Sequence, residues 1–224
     1  MADQLAVKYR GRLIAVDGSR GKDVTRAAND IAARLKRHGT ECTVSRWDAS
    51  GLFTDLAAGI KDQRNVSIRT LSLVYAADLA FRLRWEIRPA LEAGGVVVAA
   101  PYIDTAITFG TVCGLGEEWL RSLMRFAAPA DYRGLADERK IDRPWKRRFD
   151  RDYAEYGALL LENAAPNHVA KPARRKMIAL LERARGKNVF HLTNKGIGAL
   201  AESVIGNRQD GSRRSASKPR SGRK

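Results

Sequence analysis

The chain has 224 residues, 41 of them Lys or Arg against 25 Asp or Glu, which gives a formal net charge of +16 and a pI near 10.4. That size suits one domain, or one domain plus tails, and the charge implies attraction to polyanions such as nucleotides, polyphosphate, nucleic acid or anionic membrane. Two lone cysteines, three scattered histidines and the lack of any run of about 18 apolar residues argue against a disulfide scaffold, a metal cluster, a His-based triad and a membrane span, so a soluble cytoplasmic protein is expected.

Residues 11–16 read as the first strand. The segment V-D-G-S-R-G-K-D-V-T over 16–25 then gives a Gly-rich turn and a helix over 23–38. That helix would bury Val24, Ile31 and Leu35 and end at Gly39. Backbone N–H groups and the positive helix end make such a turn an anion site. Against the pattern G-x-x-x-x-G-K-[ST], Gly21 and Lys22 fit. Val16 stands at the leading glycine, and Asp23 stands where a hydroxyl would hold Mg²⁺. Gly18, Ser19, Arg20, Gly21, Lys22 and Asp23 are therefore the candidate phosphate-binding residues, with Asp23 the candidate metal ligand. The alternative is an ordinary Gly-rich turn between a strand and a helix.

Residues 41–46 form the second expected strand, followed by a W-D-A-S-G loop. Residues 68–93 read as a long helical stretch with Leu71, Val74, Tyr75, Leu79 and Leu83 at helical spacing and a kink or restart at Pro89. Gly94-Gly95 releases the short apolar strand 96–100, of the kind buried in parallel sheets. Residues 117–126 are predicted helical, 188–192 the last strand and 196–205 the last helix. Strands alternating with helices predict an α/β fold with a mostly parallel sheet.

Two segments stand apart. Residues 132–151 carry Arg133, Arg139, Lys140, Arg143, Lys146, Arg147, Arg148 and Arg151 with Trp145 and Phe149 between them, and nothing in them reads as a buried strand. They suit either a solvated charged helix pair or a basic lid that closes over phosphates. From about residue 206 the chain has almost no apolar side chains and is expected to be a disordered basic tail, serving solubility or non-specific nucleic-acid binding.

Several dispersed segments agree in order and spacing with one family. G-L-G-E-E-W-L-R-S-L-M-R-F-A-A-P-A-D over 114–131, L-V-Y-A-A-D-L-A at 73–80 and I-R-P-A-L-E-A-G-G-V-V-V at 87–98 resemble thymidylate kinases, P-loop nucleoside monophosphate kinases that phosphorylate dTMP with ATP and Mg²⁺. The resemblance covers residues 11–131 and returns faintly at the final strand and helix. It implies a three-layer α/β/α P-loop NTPase fold over residues 1–205, ATP with Mg²⁺ as cofactor, a nucleotide or other phosphorylated small molecule as ligand, and a homodimer by analogy.

Carried over residue by residue, Lys22 matches the phosphate-gripping lysine, and Arg147 and Arg148 are lid candidates for catalysis. Asp17 matches an aspartate facing the acceptor sugar, Arg46 an arginine after the second strand, and Tyr75 an aromatic that stacks on thymine. Asp78 matches the aspartate of an Ala-Asp-Arg, but Leu79 replaces its arginine. Ala100-Pro101-Tyr102 replaces Asp-Arg-Tyr. Asp104 is kept, and Gly110 stands where a glutamine reads the base. Arg20 looks inserted. Leu79, Pro101 and Asp23 remove contributions that stabilise a transferring phosphoryl group, and losing one arginine of this type costs about 10³-fold or more in rate.

The expected protein is thus a diverged thymidylate-kinase-like nucleotide binder with lost catalytic positions. One alternative is an active phosphotransferase with an altered acceptor or donor, polyphosphate included, in which Arg82 and lid arginines replace the missing guanidinium groups and Tyr102 and Asp104 remain in the acceptor pocket. Another is non-specific nucleic-acid binding through the tail and the basic segment.

Overall fold

A computed structural model describes residues 9–59, 67–136, 170–184 and 189–216. The elements run β1 (Arg12–Gly18), α1 (Gly21–Arg37), β2 (Cys42–Arg46), α2 (Leu52–Gly59), α3 (Ile68–Arg82), a π-helical turn (Leu83–Ile87), α4 (Arg88–Glu92), β3 (Val96–Ala100), α5 (Ile103–Val112), α6 (Glu117–Leu123), β4 (Tyr132–Ala136), α7 (Ala170–Arg183), β5 (Val189–His191) and α8 (Asn194–Ala216). The five strands lie in the order β2-β3-β1-β4-β5, all parallel. This is the predicted α/β architecture.

Strand periodicity divides the core in two. Ile14, Val16, Val96, Val98, Ala100, Tyr132 and Ala136 point to one face, where α1 contributes Val24, Ile31 and Leu35 and α8 contributes Ile197, Leu200 and Val204. Leu13, Ala15, Val97 and Ala99 point to the other face, covered by Leu71, Tyr75, Leu79, Leu83, Ile87, Leu91 and Leu120. Both faces of β3 are buried, so it reads as an uninterrupted apolar run. Gly39, at φ 70°, stops α1 as predicted, in a conformation that costs a residue with a Cβ more than it costs glycine.

The long helical stretch is interrupted by one π-helical turn just before Pro89, which sits at the start of α4 where its missing N–H is not needed. Helices α2, α5 and α7 are additions to the elements the sequence predicts.

The segment 132–151 needs correction at its start. Tyr132–Ala136 is a buried strand between β1 and β5. Its composition hides it because Gly134 fills the place of an apolar residue: a Cβ there would lie 2.6 Å from a Leu192 methyl group. Tyr132 is buried, with its hydroxyl donating to the Ser203 carbonyl. Residues 137–151, with Arg147 and Arg148, lie outside the described residues. The last helix is also longer than expected, continuing to Ala216 into the segment that composition assigns to disorder. Once a helix is anchored by packing, here at Leu200 and Val204, each further residue propagates it at little cost.

Candidate functional site

Strand β1 has β3 on one side and β4 on the other, so the chain changes direction across the sheet at its carboxyl end. That is where α/β folds open a crevice for ligands. The turn leaving β1 is short: β1 ends at Gly18 and α1 begins at Gly21, with Ser19 and Arg20 between them. Gly18 is required by close approach, since a Cβ would meet the Ala136 carbonyl at 2.6 Å and Val24 at 2.8 Å. Its N–H donates to the Thr105 hydroxyl at 3.2 Å. Arg20 is the N-cap of α1, with extended backbone and no side-chain bond to the helix's first N–H groups. The N–H groups of Asp23 and Val24 both donate to the Arg20 carbonyl at 3.1 Å. Lys22 is the second residue of α1, and its side chain lies outside the description.

Asp23, the expected Mg²⁺ ligand, is buried. Its carboxylate lies 3.8 Å from Arg20 Nε and 4.0 Å from an Arg26 terminal nitrogen. Ser19, in the same turn, is also buried. The residues present do not fit Mg²⁺–ATP in this arrangement. No hydroxyl stands at position 23, the carboxylate there is already balanced by two guanidinium groups, and a dication would face both of them. Among the described residues no group of three or more His, Cys, Asp or Glu could hold a metal ion.

On the acceptor side the expected residues are drawn into the fold. Asp17 Oδ1 accepts from the N–H groups of Tyr102 and Thr105, each at 2.9 Å, and from the Thr105 hydroxyl at 2.7 Å. It thereby caps α5 from β1. Burial raises the Asp17 pKa above the usual carboxylate value, opposed by the Thr105 and Tyr102 bonds and the Arg133 charge. Tyr75 is buried, and its hydroxyl donates to the Tyr102 carbonyl at 2.6 Å. Trp47 meets its ring edge-on, with centroids 4.6 Å apart. Tyr102 is buried too, its hydroxyl donating to the Ala128 carbonyl at 2.6 Å. Burial raises both phenol pKa values.

Asp78 has no exposed surface. Its carboxylate accepts from Ser50 N–H (3.0 Å), the Ser50 hydroxyl (2.9 Å) and Asp48 N–H (3.1 Å), which fixes the turn after β2. Asp48 sits in that turn at φ 61°, a left-handed conformation Asp tolerates, and its side chain caps α2 at the Phe53 and Thr54 N–H groups.

Arg82, expected to supply a replacement guanidinium for a ligand, also has no exposed surface. It donates to the Ser45 hydroxyl (2.9 Å), the Ser45 carbonyl (2.9 Å) and the Pro101 carbonyl (3.1 Å), with Asp78 at 4.0 Å. It therefore ties α3 to the end of β2 and the residue after β3, and a ligand cannot reach it without displacing these bonds. Arg46 donates to Asn29 at 2.6 Å, linking β2 to α1. Gly110 packs under Leu120: a Cβ would lie 2.8 Å from each Leu120 methyl group.

One site residue reads in the sequence only as part of the basic segment 132–151. Arg133, on β4, pairs with Asp104 of α5 and donates to the Ala184 carbonyl at 2.9 Å, just past the end of α7. Its charge also acts on Asp17. Asp17, Asp104, Thr105 and Arg133 thus form one polar cluster on the α5 side of β1. By contrast, a shallow depression of about 830 Å³ lined by Lys36, Glu41, Cys42 and Gly95 lies at the amino ends of β2 and β3, away from the turn. Among the described residues no helix is long and apolar enough to cross a membrane.

No family model matches the chain. Curated thymidylate kinases do. The Rhizorhabdus wittichii thymidylate kinase is 33% identical over 119 residues, covering 50% of this chain and 56% of the relative. A probable thymidylate kinase of Thermococcus gammatolerans is 28% identical over 136 residues, or 57% of this chain and 65% of the relative. The thymidylate kinase of Halalkalibacterium halodurans is 29% identical over 137 residues, 59% of this chain and 65% of the relative. The chain thus spans less than two thirds of the length of these relatives. Together with the five parallel strands and the turn between β1 and α1, these matches make this a thymidylate-kinase-like chain with an α/β fold consistent with a P-loop NTPase.

Proposed function

We propose that this chain is a thymidylate-kinase-like protein that binds a nucleotide or other phosphorylated small molecule at the turn between β1 and α1, and that it does not transfer a phosphoryl group to dTMP. The observation that carries the second half is the filled acceptor side. Trp47 lies against Tyr75, Leu120 lies over Gly110, and the Arg82 guanidinium bonds Ser45 and Pro101 with no surface left. Phosphoryl transfer is mostly positioning and charge stabilisation, so a guanidinium locked to backbone carbonyls contributes neither. The binding half is supported by the turn's place at the carboxyl end of the central strand and by the similarity to thymidylate kinases.

Thermal shift with ATP, dTMP and tripolyphosphate tests binding, because a ligand of the folded state raises the melting temperature. A phosphoryl-transfer assay with each deoxynucleoside monophosphate, with Lys22→Ala as control, tests chemistry. The expected result is stabilisation without turnover. If none of the ligands stabilises the protein, nucleotide binding is ruled out. Turnover abolished by Lys22→Ala would instead establish the active phosphotransferase with an altered acceptor or donor. Salt-sensitive DNA binding lost on removing the residues after Asn207 would favour the nucleic-acid reading.

A homodimer belongs to the same proposal. Leu73, Phe81 and Trp85, at helical spacing along α3 and the π-helical turn, are exposed in the single chain, and a second copy is the occupant the resemblance implies.

A further inference from the structure

Resting on the binding half of that function, we infer that Arg133 is a positioning residue of the phosphate turn: from β4 it fixes the first turn of α5, and α5 in turn fixes Asp17 and Gly18 where β1 leaves the sheet. The contacts form an unbroken path. Arg133 pairs with Asp104, in the first turn of α5. The next residue, Thr105, donates its N–H and its hydroxyl to Asp17 Oδ1, at 2.9 and 2.7 Å. The same hydroxyl accepts the Gly18 N–H at 3.2 Å. Gly18 is the last residue of β1, and only Ser19 and Arg20 separate it from α1.

The place of Arg133 in the fold makes it informative. On β4 it shares a face with Leu135, which is buried, and an apolar side chain there would bury without penalty. A guanidinium in that place is stabilised only by its partners. The positive start of a helix opposes a nearby cation, so the Asp104 carboxylate holds Arg133 there rather than α5 itself. The Asp104 side chain is 11% exposed, so the pair lies largely out of water. Tyr102, the N-cap residue of α5, provides no side-chain cap, and Asp17 from β1 takes that part. The start of α5 is therefore set by two carboxylates, and the Arg133 charge acts on both. The far end of β4 also walls the turn, since a Cβ on Gly18 would meet the Ala136 carbonyl at 2.6 Å.

In this role Arg133 touches no ligand. It keeps the Gly18 N–H on Thr105 and the end of β1 in place against α5, so the turn meets an anion without first reorganising. The bond from Arg133 to the Ala184 carbonyl past α7 is a separate tie, and it supplies a control. A lysine at position 133 can pair with Asp104 but, as a point charge, cannot fork to Ala184 as well.

The test joins hydrogen–deuterium exchange of the full chain with titration calorimetry against inorganic tripolyphosphate. The proteins are the native chain, Arg133→Met, Arg133→Lys, Thr105→Val and the double variant Arg133→Met with Thr105→Val, each checked for folding by circular dichroism. Arg133→Met should raise exchange in the peptides holding Gly18 and Thr105, leave α8 on the opposite face protected, and weaken tripolyphosphate binding about tenfold. Arg133→Lys should restore both and leave the end of α7 loosened. Thr105→Val should weaken binding to a similar degree and the double variant no further, because both changes cut one path. Exchange that rises only at β4 and α7, or evenly across the sheet, makes Arg133 a structural tie and overturns the inference. Unchanged affinity in folded Arg133→Met, or losses that add in the double variant, overturns it too. If Arg133→Met does not fold, Arg133→Lys decides: native affinity with a loosened α7 supports the inference, and binding as weak as that of Thr105→Val overturns it. If the native chain does not bind tripolyphosphate, the binding function falls by itself, and exchange at Gly18 still decides whether Arg133 positions the turn.

Discussion

The acceptor side and the phosphate turn hold charge in opposite ways. Around α3 and β3 the two fully buried charges are fitted: Arg82 makes three hydrogen bonds and Asp78 accepts three, at 2.9–3.1 Å, with no exposed surface on either. At the turn the Asp23 carboxylate lies 3.8 Å from Arg20 Nε and 4.0 Å from an Arg26 terminal nitrogen. The first arrangement is a strut between elements, and the second balances charge within one helix end. Both use residue types that, in a sequence, suggest ligand binding. Fitted geometry and complete burial mark Arg82 and Asp78 as residues that hold the fold.

The contrast breaks most visibly at Arg82. Arg82→Met should cost about 3–5 kcal/mol in urea unfolding, because it strips a fully buried carboxylate, Asp78, of its nearby cation and leaves the Ser45 and Pro101 carbonyls without their donor. Arg82→Lys should recover little of this, since an ammonium cannot reproduce the fork that reaches both carbonyls. A loss below about 1 kcal/mol for Arg82→Met would remove the strut. Arg133→Met should cost less, about 1–3 kcal/mol, because that guanidinium is 29% exposed although it joins β4, α5 and the end of α7. Limited proteolysis that then cuts α7 earlier than in the native chain would locate the loss at the contact with Ala184.

How far the sequence led differs between the same two regions. The turn and α1 were legible because a Gly-rich step between an apolar strand and an amphipathic helix has few other solutions. The strand at Val96–Ala100 was legible for its uninterrupted apolar run. Strand β4 was not, since Gly134 replaces an apolar side chain under Leu192 and Arg133 reads as surface charge. Nor was the fate of Tyr75, Asp78 and Arg82. Their spacing on α3 places them near the site, but whether each faces the crevice or the core depends on what Trp47 and Ser45 do from β2 and the turn after it. That is a long-range fact no local pattern carries.

A smaller effect is expected at Asp17, and it appears as a dependence on pH. Burial raises its folded-state pKa above the usual aspartate value, so above that value the folded chain holds the proton longer than the unfolded chain does. Stability then falls as pH rises from the usual aspartate value through the raised one, and the penalty is absent only below the usual value. Asp17→Asn keeps an oxygen to accept from Tyr102 and Thr105 and cannot ionise. Urea midpoints measured across this window should decline with pH in the native chain and decline less in Asp17→Asn. Parallel curves would mean that Arg133 and the α5 donors keep Asp17 ionised throughout.

The smallest effect on the single chain is expected at Trp85, which is 65% exposed although it follows α3 directly. Leu79, on the same stretch, has no exposed surface, and Leu79→Ala should cost about 2–5 kcal/mol for the cavity it leaves. Trp85→Ser should change the stability of the isolated chain by less than about 0.5 kcal/mol. If Leu73, Phe81 and Trp85 meet a second copy, that near-neutrality holds only at low protein concentration. The native melting temperature should then rise with concentration, and Trp85→Ser should flatten the rise, because association stabilises the folded state by mass action. A native melting temperature that does not change over a hundredfold range of concentration would leave the stripe as bare surface and remove the homodimer from the proposal.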